Sequence, residues 1–172
     1  SPDVSVRFFA PKTTDLLGIR ANDGNGLGFF DVDRQVAARR AAWYSAATIL
    51  QRAIALELDV DSTSIEIASV HFHSTDKSSG AELYLADEHP NGAGLVDWAN
   101  RNWSALLLGC TSAEGNLAQM GRFLMEANER ASLGESWRSP DALLKGFRNK
   151  NIHGLIDWQL GIDLLSVLRD AD

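Results

Sequence analysis

His71 and His73 stand two apart in Ile65-Glu-Ile-Ala-Ser-Val-His-Phe-His73, a run of β-formers that reads as a strand. Alternate strand residues share a face, so the pair is a possible two-ligand metal arrangement. His89 or Asp87 would be the third ligand, and the chemistry would be metal-dependent hydrolysis or nuclease work. The competing reading has both histidines facing solvent beside Ser74 and Asp76. Asp87-Glu-His-Pro-Asn-Gly-Ala-Gly94 joins a strand to a helix, with glycines at the join. Free backbone N–H groups at such a join can receive an anion. No Gly-Lys-Ser/Thr follows, which excludes a Walker loop, and a full dinucleotide fingerprint is missing. A tight turn in which only glycine fits explains the same residues. There is no Gly-x-Ser-x-Gly elbow and no nucleophile–base–orienter set. Cys110 closes the apolar run Leu106-Leu-Leu-Gly-Cys110 and reads as a small buried hydrophobe rather than a nucleophile. Asp59 and Asp61 read as turn residues.

A local basic cluster points elsewhere. Arg138, Lys145, Arg148 and Lys150 lie close in sequence, with Trp137 and Phe147 interleaved. Cations beside aromatics suit single-stranded nucleic acid, through phosphate contact and base stacking. A smaller cluster is Arg34, Arg39 and Arg40. The alternative is an ordinary solvated face with the aromatics turned inward. In Asn149-Lys-Asn-Ile-His-Gly-Leu-Ile-Asp-Trp158, His153 and Asp157 are four apart and would meet if a helix started early. The same residues also read as a hydrogen-bonded knot that anchors the last helix.

The elements that must position these residues follow from period and punctuation. Strands are expected at Val4–Phe9, Leu16–Arg20, Ile65–His73 and Ala81–Asp87, with a glycine-rich loop at Asn22–Gly28 and a hairpin-type connection at Ser74–Gly80. The clearest helix runs from about Asp33, a plausible N-cap, to Leu58. Within it Trp43, Ala47, Leu50 and Ile54 recur at helical spacing, with Ala46 and Ala53 beside them. Further helices are expected near Leu95–Leu108, Ala113–Arg130, Asp141–Phe147 and Ile156–Leu168. Strands first and helices after imply an α+β domain, a small antiparallel or mixed sheet packed against several helices.

A chain of 172 residues suits one domain, 1–172, with a core that needs no staples. The net charge of -7 argues against bulk attraction to nucleic acid or to an anionic membrane, while leaving room for a local basic stripe. One cysteine can form neither an internal disulfide nor a zinc cluster, so a reducing, cytoplasmic setting is expected. No run of about 18 apolar residues exists, so no membrane span is expected. The start, almost directly in a β-like run, fits a fragment of a longer polypeptide.

Several segments together carry a resemblance. They are the long helix followed by Leu56-Glu-Leu-Asp-Val-Asp61, then Glu82-Leu-Tyr-Leu-Ala-Asp87 running into Asn91-Gly-Ala-Gly94, and last Phe147–Trp158 continuing to Leu160-Gly-Ile-Asp-Leu-Leu165. In this order they resemble the MrfA-like zinc-binding domain of certain superfamily-two DNA helicases. That domain also occurs in DrmB, the helicase's partner in the DISARM antiphage system, and the DrmB type is the nearer. The family usually carries four zinc cysteines. Two of those places fall here on Pro140 and Leu143, and the earlier pair would fall between about Asn128 and Ser139, where no cysteine stands. The zinc centre is thus degenerate, with apolar packing at Leu143 expected in its place, and no cofactor is expected.

The resemblance implies the C-terminal part of a longer helicase-related protein, working in DNA repair or antiphage defence. The expected role is a non-catalytic accessory domain that docks on a superfamily-two helicase, in cis or in trans, or contacts DNA beside it. Arg138, Lys145, Arg148 and Lys150 would touch DNA. Asp87, Asn91, Gly92, Gly94, His153 and Asp157 would shape the fold and any pocket. The alternatives are a protein-interaction scaffold without DNA binding and, behind it, the metal-dependent enzyme.

Overall fold

A computed structural model of the chain describes residues 12–22, 37–74, 79–134 and 139–171. The strand expected at Val4–Phe9, most of the glycine-rich loop and the Asp33 cap lie outside the described residues. The fold is α+β. Strands β1 (Leu16–Asn22), β2 (Ile65–Ser74) and β3 (Ser79–Asp87) form an antiparallel sheet in the order β1-β3-β2. Among the described residues the chain forms six α-helices: α1 (Ala37–Glu57), α2 (Leu95–Arg101), α3 (Trp103–Thr111), α4 (Gln119–Ser132), α5 (Pro140–Leu144) and α6 (Trp158–Ala171).

Helix α1 is the axis of the molecule. Twelve of its residues are buried, among them Trp43, Ile49, Leu50 and Ile54, and they lie on more than one side of the helix. A helix apolar on several sides must be covered on several sides. The sheet, α6, α3 and α4 all pack against α1, α4 at the Glu57 end. The alanines Ala42, Ala46 and Ala53 allow these close approaches. At Gly161 of α6 a Cβ atom would stand 2.8 Å from Ile49 Cδ1 and 2.9 Å from Ser45 Cβ, so only glycine fits that crossing.

In the sheet, Leu83 and Leu85 of β3 turn into the core between Leu17 and Ile19 of β1 and the inward residues of β2. Strand β2 changes parity midway. Ile67 pairs with Leu85 and Ser69 with Tyr84, which leaves Ala68 as an extra, bulged residue. Ile65 and Ile67 face the core before the bulge, and Val70 and Phe72 after it. His71 and His73 are thereby placed on the outer face, with Arg20, Glu82 and Tyr84.

The helices depart from the expected limits at several points. The helix expected over Leu95–Leu108 is two helices. The Asn102 side chain donates to the Trp98 carbonyl at 2.9 Å and competes with the backbone ladder there. The helix expected from Ala113 starts at Gln119, because Ser112 Oγ accepts from Glu114 N and Gly115 takes φ +95°. Glu57, at the end of α1, then caps α4 by accepting from Gln119 N at 3.0 Å. Helix α5 stops at Leu144 rather than Phe147, as Lys145 turns extended. Helix α6 begins at Trp158 rather than Ile156. Its start is held by Asp157 Oδ1, which accepts from Leu160 N, and by Asp141 Oδ1, which accepts from Trp158 N.

Candidate functional site

The turn after α5 is organised by one side chain. Asn149 Oδ1 accepts from Gly146 N at 2.8 Å, and its Nδ2 donates to the Leu144 carbonyl at 2.9 Å. His153 Nε2 lies 2.8 Å from the Gly146 carbonyl and 2.9 Å from Asn149 Oδ1. Both neighbours are acceptors, so the network assigns the proton to Nε2. His153 therefore faces Asn149 and Gly146, not Asp157 as an early helix start would require. Asp157 instead caps α6, and its N–H donates to the buried Ser45 Oγ at 2.9 Å.

With its polar groups bonded inward, the turn presents its other side chains to solvent. Lys145, Phe147, Arg148 and Lys150 are all exposed. Phe147 is 91% exposed, the most open large apolar side chain among the described residues. No ion pair holds Lys145 or Lys150 among the described residues, whereas Arg148 is tethered. Its Nη1 donates to the Thr63 carbonyl at 3.3 Å and stands 3.6 Å from Glu88 Oε1. Arg138 and Trp137 lie outside the described residues, as does Arg34. Arg39 and Arg40 sit in the first turn of α1.

Beside the turn is a cleft of about 500 Å³ between α1, β2 and Gly146–Ile152. Ile65 and Ile67 contribute its apolar surface, with Tyr44, Arg52, Phe147 and Arg148 among its other linings. Arg52 Nε is buried and has no hydrogen-bond partner. An unmet buried donor costs about 1–3 kcal/mol, so it is a feature to be explained. Burial lowers the Arg52 pKa, and the neighbouring Asp61 carboxylate opposes that shift. Hydrogen bonding from Thr63 holds the Asp61 carboxyl below its ordinary range, helped by Arg148 and Arg52. At the cleft edge Glu66 and Glu88 share Lys12, whose Nζ lies 3.4 Å and 3.7 Å from them.

The strand-to-helix join is already satisfied from within. The Asp87 carboxylate is fully buried and accepts from Ala93 N at 2.6 Å, Leu95 N at 3.1 Å and Val96 N at 3.0 Å. Gly94 at the start of α2 offers no side-chain cap, so Asp87 supplies the anion that this helix start attracts. The N–H groups that could have received a ligand are spent on it. Asn91, Gly92 and Gly94 all take positive φ, at 69°, 75° and 77°. A Cβ on Gly92 would also collide with the Asp15 carboxylate.

Asp87 is thus removed as a third metal ligand for the histidine pair. His71 packs edge-on against Tyr84, ring centroids 6.4 Å apart. Among the described residues no three His, Cys, Asp or Glu side chains stand where they could share a metal ion. Pro140 and Leu143, where the resemblance would place two cysteines, have no side-chain donor atom and do not fit a zinc ion. The apolar plug there is made by Pro140 and Leu144, both buried, rather than by the half-buried Leu143. Cys110 is buried, and burial pushes its thiol up to about 12, with Glu57 adding to the shift.

Sequence reasoning missed Arg52 and Tyr44. The available signal was that Arg52 is the one charged residue in the apolar stretch from Ala41 to Leu56. Comparison with protein-family models, with curated proteins and with solved structures finds no match.

Proposed function

We propose that this chain is a non-catalytic accessory domain of a DNA helicase or helicase-containing complex, cytoplasmic, in DNA repair or antiphage defence. It contacts DNA through Lys145, Arg148 and Lys150 and docks on a superfamily-two helicase in cis or in trans. The observation that carries the DNA contact is Phe147, 91% exposed and flanked by three exposed cations within six residues. Cations take the phosphates and an open ring takes a base. The order of the segments that resemble the MrfA-like domain supports the helicase setting. No helix among the described residues is long and apolar enough to cross a membrane.

A titration with DNA at several salt concentrations tests this reading. Lys145→Ala with Lys150→Ala should weaken binding and flatten the salt slope by about one to two units. Binding and slope unchanged in that double variant would remove the DNA contact from the proposal. The tagged chain should also capture a superfamily-two helicase in stoichiometric amount from its host.

One observation favours the scaffold reading instead. Phe123, Met125 and Leu133, on and just after α4, are 46%, 44% and 64% exposed, on a chain of net charge -7. A scaffold would bind its partner protein and no DNA at physiological salt.

A further inference from the structure

The cleft beside the cationic turn has features that simple phosphate contact does not use. Its volume of about 500 Å³ lies within the range of small-molecule sites. Phe147 stands among its lining residues with its ring open to solvent. Arg52, on the α1 wall, lines the cleft with a guanidinium that only donates, so an occupant beside it must bring an acceptor.

The charges sort the parts of that occupant. Glu66 and Glu88 line the cleft together with Arg52 and Arg148, so its charges balance and it holds no excess of cation for a phosphate. Lys145 and Lys150 are exposed outside the lining and hold no ion pair among the described residues, so phosphates are better placed there. A flat ring with acceptor atoms and no charge suits the interior. A nucleobase has those properties, and its phosphates follow it outside.

We propose that this cleft takes a single unstacked nucleobase of a DNA strand, its face on Phe147 and an acceptor edge on Arg52. The inference rests on the DNA-contact reading and deepens it, because a base inside a duplex cannot enter without leaving its stack. The domain therefore selects single strands, and does so without reading sequence over more than one position.

The test is fluorescence anisotropy with three probes of equal length: a single strand, its duplex, and an abasic strand of the same backbone charge. The intact single strand should bind about tenfold tighter than the abasic strand, as expected for one stacked base. Phe147→Ala should erase that difference and leave abasic binding unchanged. Arg52→Gln should do the same. Phe147 is almost fully exposed, so its variant should melt at the wild-type temperature, and it decides alone if Arg52→Gln unfolds. Equal binding of intact and abasic strands, with both weakened by Lys145→Ala and Lys150→Ala, would overturn the base site and leave the DNA contact standing. No binding of any probe would overturn both.

Discussion

Asp87 carries a carboxylate into a fully buried position, where three backbone N–H groups surround it. Removing it would leave those donors buried and unmet at the start of α2. Asp87→Ala should therefore lower stability by about 3 kcal/mol or more, read as a shift of the urea midpoint. A midpoint near wild type would show that water replaces the carboxylate at little cost. Cys110 illustrates the opposite case, a reactive atom silenced by burial. With its thiol pushed up to about 12, thiolate is negligible at pH 8. A disulfide reagent should leave the native protein unlabelled and label it rapidly in guanidinium chloride. Fast labelling of the native state would contradict the packing around α3.

Between elements, the most extensive helix contact is that of α1 with α6. Gly161 lets α6 settle against Ser45 and Ile49, while Ser45 Oγ accepts from the Asp157 N–H. Three contacts thus fix the start of α6: Ser45 from α1, Asp141 from α5 and Asp157 as its own cap. Gly161→Ala should cost about 1–3 kcal/mol by overpacking, since the clash is with the body of a packed helix. A lower melting temperature with unchanged far-ultraviolet dichroism would be the expected result, and an unchanged melting temperature would mean that α6 can slide. The same end of the molecule carries the Asn149–His153 turn, so a displaced α6 should also loosen the cleft.

At the scale of the whole molecule, acidic charge and a cationic turn work against each other. The net charge of -7 opposes the approach of DNA, and among the described residues the turn between α5 and the His153 segment collects exposed cations around an open ring. Binding should be confined to that region and should fall steeply with salt, which is why the Lys145 and Lys150 variant carries the test of the DNA contact. The outer face of the sheet looks different. There Arg20 Nη2 meets Glu82 Oε1 at 2.6 Å and Tyr84 donates to Glu82 Oε2 at 2.9 Å, so its charges are largely answered within the face.

Much of the fold was legible in the chain. The β-formers of Leu16–Arg20, Ile65–His73 and Ala81–Asp87 mark the three described strands, and the spacing of Trp43, Ala47, Leu50 and Ile54 marks the central helix. Such patterns are local, because a strand or helix must place apolar residues at its own period to bury one side. The cations and Phe147 were legible as a cluster for the same reason. Other features depend on chain segments that meet only after folding. The Ala68 bulge flips the face of His71, Asn102 splits a helix whose apolar pattern runs on, and Asp87 caps a helix that starts beyond the next turn. The cleft is the clearest case: Arg52, Phe147 and Glu88 come from three separate elements. A period reports which side of an element is buried. The partner of a polar atom is decided by where the rest of the chain returns, and only the tertiary structure decides that.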